Sequence, residues 1–297
     1  PIPDIDHSDY LLMLGANPLA SNGSLMTVPD VAKRIKALQA RGGKLVVIDP
    51  RRTETAQVAD AHHFIRPGSD AALLLALLNV LFAEGLTQPG RLQAMLDVPL
   101  DVVRELVAPF SPEAVAAQTG IGADAIKTIA RDFAAAPRAV AYGRMGCSTQ
   151  IHGTICQWAI QVLNIVTGNL DAVGGSLTTK PALDLLGAPG SKPGSYGRVK
   201  SRVSGRPEAN GELPVAVMAE EMLTPGEGQI KALVCIAGNP VLSTPNGRQL
   251  EQALQQLDFM VSLDMYLNET SQYADVILPT TTPLEHDHFD MIFNIFA

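Results

Sequence analysis

Asp49-Pro-Arg-Arg-Thr53-Glu54-Thr55-Ala-Gln57-Val-Ala59-Asp60 is answered 215 positions later by Asp264-Met-Tyr-Leu-Asn-Glu269-Thr270-Ser-Gln272-Tyr-Ala274-Asp275, with six residues identical in register. Each copy follows an apolar run, LVVI at 45–48 and FMVSL at 259–263. Upstream of each lies a second shared element, Gly15-Ala-Asn17-Pro18 and Gly238-Asn239-Pro240, and these too end apolar runs. Short apolar runs closed by Gly, Asn and Pro read as buried strands ending in turns. Two linked matches in the same order describe one strand–loop unit built twice. A chain built this way is expected to hold two similar ligands, or one two-ended ligand.

Working outward, strands and helices alternate. Strands are expected at 10–14, 44–48, 61–65 and 138–142, and helices at 29–40, 70–84 and 153–167. Thr27 or Pro29 marks the start of the first helix, and Ser69 is expected to cap the second. Residues 88–135 read as short helices punctuated by Pro99, Pro109, Pro112 and Gly120. The later half repeats the pattern, with strands at 231–237, 259–263 and 275–278 and helices at 247–257 and 269–274. This alternation predicts an α/β fold of two Rossmann-like units, with mainly parallel sheets and helices on both faces. The expected organisation is an α/β domain over 1–179, a Pro/Gly-rich loop or linker over 180–214, and part of a second, pseudo-equivalent domain over 215–297.

The composition sets limits. The chain has 297 residues, 46% of them apolar and 18% charged, which is globular. A formal net charge of −8 argues against a broad nucleic-acid surface. No apolar run reaches the 18 or so residues of a membrane span. Cys147, Cys156 and Cys235 form no CxxC pair and read as small buried hydrophobes. Neither GxGxxG nor GxxxxGK[ST] is present.

Ligands of such sheets bind where loops leave the carboxyl ends of the strands. Both Gly/Asn/Pro elements and both Asp elements fall there. Glycine lets backbone N–H groups approach a phosphate, and Asn tolerates left-handed turns. A carboxylate at the next strand end suits a ribose diol or the N–H edge of guanine. Arg51 and Arg52 could neutralise phosphate, or simply be solvated. Asp60 and Asp275 could instead cap turns, and Glu54 and Glu269 could cap a short helix.

The stretches 15–21, 47–78, 143–153, 163–175, 237–246 and 264–287 together resemble the molybdopterin oxidoreductase family, the bis-molybdopterin guanine dinucleotide enzymes related to dimethyl sulfoxide reductase. The resemblance implies that two pseudo-equivalent domains each bind the guanosine end of one pterin cofactor, with molybdenum or tungsten between them. It implies a first guanosine site of Gly15, Asn17, Asp49, Arg51 and Thr53, with Asp70 on the guanine edge. The second would use Gly238, Asn239, Pro240, Ser243 and Asp264, with Asp275 and Glu285 nearby. Met145, Gly146 and Gln150 would meet the pterin and pyrophosphate.

The family's metal-ligating Ser, Cys or selenocysteine lies upstream of the first such strand. The chain begins 14 residues before Gly15, so it reads as an internal fragment, inactive on its own, with no catalytic residue assigned. Cys147 falls in the pterin loop and is not expected to ligate metal. The run Glu285-His286-Asp287-His288 resembles a metal site but reads better as a solvated loop. An iron–sulfur cluster would belong to the missing N-terminal part. The implied partners are a small-molecule redox substrate and an electron-transfer subunit, with cytoplasm favoured over periplasm. Two other classes remain open: a non-catalytic scaffold like the large peripheral subunit of respiratory complex I, and a simple guanine-nucleotide-binding module.

Overall fold

The computed structural model describes all residues except 24, 25, 27, 182, 185–193 and 288–297. The chain divides into two compact units, the first spanning Pro1–Leu183 and the second beginning at Asp184.

In the first unit, β1 (Tyr10–Leu14), β2 (Lys44–Ile48), β3 (Ala61–His63) and β4 (Ala139–Gly143) form a parallel sheet in the order β3-β2-β1-β4. Every residue of β1 is buried, as a strand covered on both faces requires. Leu11, Met13, Leu45 and Val47 face Val31, Ile35 and Leu38 of α1 (Val31–Ala40). Leu12, Leu14, Val46 and Ile48 point the other way, into a larger core with the Leu-rich α2 (Asp70–Ala83), α3 (Ala123–Ala135) and α4 (Gly153–Val166). Burying each such Leu or Val stabilises the fold by about 1.5–3 kcal/mol relative to exposure. Ser69 takes the N-cap position of α2, but its hydroxyl makes no capping bond and donates backward to the Arg66 carbonyl at 2.6 Å.

The outer edge of β4 is closed by side chains instead of another strand. Asn164 Oδ1 accepts from the Ala141 N–H and its Nδ2 donates to the Ala141 carbonyl, both at 2.9 Å. Asn169 Oδ1 accepts from the Ala139 N–H at 3.2 Å. A buried amide thus mimics the next peptide of a ladder and satisfies backbone groups that would otherwise be orphaned.

The second unit repeats the first three strands. β5 (Ala232–Ile236), β6 (Phe259–Leu263) and β7 (Val276–Leu278) lie parallel in the order β7-β6-β5. Pairing register is conserved as well as order: Val46↔Ala61 in the first sheet becomes Val261↔Val276 in the second, both shifted by the 215 of the sequence repeat. Helices α5 (Met218–Leu223) and α6 (Gly247–Leu254) pack on the face carrying Cys235 and Met260. Val234 and Ile236 are exposed on the other face.

The stretch expected to be loop over 180–214 contains a hairpin, Tyr196–Lys200 paired with Pro207–Ala209. Its organiser is polar, so no hydrophobic alternation announces it. Glu208 is buried and accepts from the Ser195 hydroxyl, from Arg198 N at 3.0 Å and from Gly211 N at 2.7 Å. The Ser195 bond first, then the Gly211 N–H, hold its carboxyl down to about 2. A depressed folded pKa means the stability from Glu208 is complete above the unfolded value of about 4.3 and is lost as pH falls toward 2. Melting temperature measured from pH 5 to 2 should therefore fall more steeply in the wild type than in Glu208→Gln.

Candidate functional site

The loops leaving β1 and β2 are tied together by the residues of the repeat. Asn17 Nδ2 donates to Glu54 Oε2 at 2.7 Å, and the Thr55 hydroxyl donates to Asn17 Oδ1 at 2.8 Å. Thr55 Oγ1 in turn accepts from Leu19 N at 3.2 Å. The second unit repeats this atom for atom: Asn239 Nδ2 to Glu269 Oε2 at 2.7 Å, Thr270 Oγ1 to Asn239 Oδ1 at 2.8 Å, and Val241 N to Thr270 Oγ1 at 3.0 Å. The Asn17 bond, more than nearby Arg51, holds the exposed Glu54 carboxyl below its usual range; Asn239 does the same to Glu269. Both Asn side chains therefore fasten one loop to the next. Thr55 and Thr270, fully buried, were visible as identities in the repeat but carried no assigned role.

The acidic residues that frame each copy also correspond. Asp60 Oδ2 accepts from Leu45 N at 2.8 Å and Asp275 Oδ2 from Met260 N at 2.7 Å, so both brace the start of the second strand. Asp49 Oδ1 accepts from Arg51 N at 2.8 Å and Asp264 Oδ1 from Tyr266 N at 2.9 Å. Asp264 is further engaged, since its Oδ2 accepts from Asn268 Nδ2 at 2.9 Å. Asp49 Oδ2 has no partner among the described residues.

The glycines of the two elements do not correspond. Register places Leu14 opposite Ile48 and Ile236 opposite Leu263, so Gly15 matches Ala237 and Gly238 matches Ala16. Gly15 N bonds the Ile48 carbonyl at 3.0 Å, and Ala237 N bonds the Leu263 carbonyl at 2.9 Å. Both residues are left-handed, with φ of 55° and 49°. Gly15 has a further reason to be glycine: a Cβ there would lie 2.7 Å from Gly146 Cα. Ala237 carries the left-handed strain without such crowding. Ala237→Gly is expected to stabilise the second unit by roughly 1 kcal/mol, the relieved strain less the chain entropy glycine adds. A melting curve showing no gain would contradict this.

The close approach of Gly15 and Gly146 brings the loop after β4 against the loop after β1. Between them opens a cavity of about 380 Å³ lined by Asn17, Tyr142, Arg144 and Met145 among others. It lies where the strand order reverses between β1 and β4, the usual ligand crevice of such sheets. Met145 is exposed at its rim. Cys147 is buried, with Sγ 3.1 Å from the Leu14 carbonyl; burial, then the Asp70 charge, push its thiol up to about 12. It is a packed thiol, as are buried Cys156 and Cys235.

Gln150 joins this loop to Asp70. Its amide nitrogen, Nε2, donates to Asp70 Oδ2 at 2.9 Å and to the Gly146 carbonyl at 3.0 Å. Its Oε1 is buried and has no hydrogen-bond partner among the described residues. Burial above all, with a further contribution from the Asp49 charge, raises the Asp70 pKa. Gln150 was expected at the pterin end; the structure sets it against the carboxylate expected at the guanine edge.

The other expected residues are more peripheral. Thr53 caps the short helix Glu54–Val58 by accepting from Ala56 N at 3.1 Å. Arg51 is mostly exposed, 3.8 Å from Glu54. Ser243 Oγ donates to the Asn239 carbonyl at 3.0 Å, and Pro240 opens the short helix Pro240–Ser243. Glu285 accepts from Thr282 N and Oγ1 at 2.7 and 2.8 Å, while His288 lies outside the described residues. No group of three or more His, Cys, Asp or Glu side chains able to hold a metal occurs among the described residues. None of the described helices is long and apolar enough to cross a membrane.

Two α/β units thus carry the same loop pair at the carboxyl edges of their parallel sheets. The sequence model of the molybdopterin oxidoreductase family matches residues 1–294, and the chain belongs to that family. It is 30% identical to the F420-dependent formate dehydrogenase subunit alpha of Methanocaldococcus jannaschii over 302 residues, covering 96% of this chain and 43% of that protein. It is 28% identical to formate dehydrogenase H of Escherichia coli, covering 96% of this chain and 41% of the relative. It is also 28% identical to the assimilatory nitrate reductase catalytic subunit of Bacillus subtilis, covering 97% and 41%. The fold is shared with acetylene hydratase from Pelobacter acetylenicus, with a TM-score of 0.75 and 23% identity over 94% of this chain and 41% of that one. The chain thus spans about two fifths of the length of these relatives.

Proposed function

We propose that the two repeated units clamp the guanosine ends of two molybdopterin guanine dinucleotides in a molybdenum or tungsten oxidoreductase. The observation that carries this reading is the duplication, which runs through order, register and hydrogen bonds. A single ligand type held twice is the simplest use of a loop pair built twice. The residues present fit such a group. Gln150 Oε1 is a buried acceptor in need of a donor, and Asp70 beside it is a buried carboxylate. Guanine offers N1–H and N2–H₂ along one edge, a donor pair matched to two such acceptors.

The bound cofactor would supply the redox chemistry at its metal, and the chain's share is grip and orientation. Asp49 and Asp70 would hold the first nucleotide, with Arg51 and the backbone N–H groups after β1 near its phosphates. Asp264 would hold the second, with Gly238 and Asn239 shaping the loop beside it. In this reading the first clamp belongs to a domain over 1–179 and the second to one beginning near 215. A small-molecule redox substrate and an electron-transfer subunit are the partners of such a protein.

Asp264 discriminates between ligand contact and local bracing, because its carboxylate already bonds Tyr266 N and Asn268. Asp264→Ala in the holoprotein is expected to weaken retention of one guanine nucleotide by one to two orders of magnitude, from about 1–3 kcal/mol of lost pairing. Asp264→Asn should do less. A lower melting temperature with full guanine content would instead mark Asp264 as a turn brace.

A further inference from the structure

Asp49 has an aromatic neighbour that the duplication does not explain. Phe64 follows β3 directly and is 59% exposed, while the next residue, Ile65, is buried. Its ring rests on His62, with centroids 4.3 Å apart and planes tilted by 58°. His62 is fixed in turn by Nε2, 3.0 Å from the Asp49 carbonyl. The Asp49 N–H bonds the His63 carbonyl at 3.2 Å. The two rings are thus pinned to the strand end that carries Asp49. A single exposed Phe is ordinary on a protein surface. One backed by a second ring and set, by strand register, beside Asp49 is a shelf at the carboxyl edge of the sheet.

We propose that Phe64, backed by His62, is the stacking surface for the purine ring at the first clamp. The inference rests on the guanosine-clamp reading and adds to it a binding residue outside the repeat. The division of labour is physical. Carboxylates such as Asp49 and Asp70 read the N–H edge of the base, and an aromatic face holds its π-surface without discriminating between bases. The 215-residue offset maps His62 and Phe64 onto Ile277 and Pro279, which offer no aromatic ring. The shelf therefore belongs to one clamp only, and losing it should affect one nucleotide of the two.

The test uses the holoprotein and, after timed dialysis, counts the GMP freed by hot-acid hydrolysis of the retained cofactor's pyrophosphate. The wild type should hold two GMP per polypeptide. Phe64→Ala should lose one of them about ten- to hundredfold faster, the range expected of base stacking, with an unchanged melting temperature because the side chain is exposed. Phe64→Trp should restore retention, and the introduced indole should be quenched while the nucleotide is bound; the chain's sole tryptophan, Trp158, provides the reference emission. Two GMP in the wild type with an unaltered loss rate in Phe64→Ala would overturn the stacking role and leave the clamps standing. Loss of both nucleotides with a fallen melting temperature would make Phe64 a structural residue and equally overturn it. A wild type holding no GMP would remove the clamp reading and this inference with it.

Discussion

Asn164→Leu is expected to be the most damaging single substitution in the first unit. Asn164 is fully buried, and its amide satisfies both the N–H and the carbonyl of Ala141 on the edge strand. Leucine fills nearly the same space and offers neither partner. Each buried backbone group left unpaired costs about 1–3 kcal/mol, so the loss is roughly 2–6 kcal/mol. That is a large share of the 5–15 kcal/mol typical of a whole domain. For a unit of this size each kcal/mol lowers Tm by about 2–4 °C. Thermal unfolding should show a fall of roughly 5–20 °C. A change within about 0.5 kcal/mol for the leucine variant would mean the edge of β4 is held some other way.

The second large effect is on ligand retention. Asp70→Ala in the holoprotein should release the first guanine nucleotide at least one to two orders of magnitude more readily, from a loss of about 1–3 kcal/mol or more for a charged acceptor. The same site sets a pH dependence. Burial raises the Asp70 pKa, so the folded chain binds its proton more tightly than the unfolded chain does. The fold is then relatively stabilised below the unfolded value of about 3.9, and that increment is lost as pH rises through the raised folded value. Donor binding runs the opposite way, since guanine N–H groups need the carboxylate. Nucleotide retention should therefore fall on acidification at a pH above the ordinary aspartate range. Asp70→Asn should abolish that pH step. Retention that is flat through it in the wild type would remove Asp70 from the site.

Much of this architecture is legible because apolar runs in parallel sheets are nearly continuous. Tyr10–Leu14 and Lys44–Ile48 stand where their composition puts them, and the repeated dodecamer carries the β2–loop–β3 unit into the second half with its register intact. What escapes is held by polar groups whose partners are distant in sequence. Asn164 sits inside a helix and bonds a strand 23 residues away, a role that no periodicity encodes. Glu208 organises a hairpin in a Pro/Gly-rich stretch by accepting hydrogen bonds rather than by burying hydrophobes. The two glycine elements look alike as strings, yet pairing register matches Gly15 with Ala237, because a left-handed φ and not residue identity defines the position. Gln150 illustrates the same point at the site. Its place in the loop was visible, but its approach to Asp70 depends on the packing of Gly146 against Gly15.

Two guanosine clamps built by duplication fix the number of nucleotides that the holoprotein holds. Purified holoprotein is heated in acid so that water cleaves the pyrophosphate into GMP and pterin phosphate, the GMP is quantified against polypeptide, and the count is repeated for Asp70→Ala and Asp264→Ala. The duplication predicts two GMP per polypeptide in the wild type, one in each single variant after dialysis, and none in the double variant. A wild-type count of zero or one, or release of a different base, would contradict it.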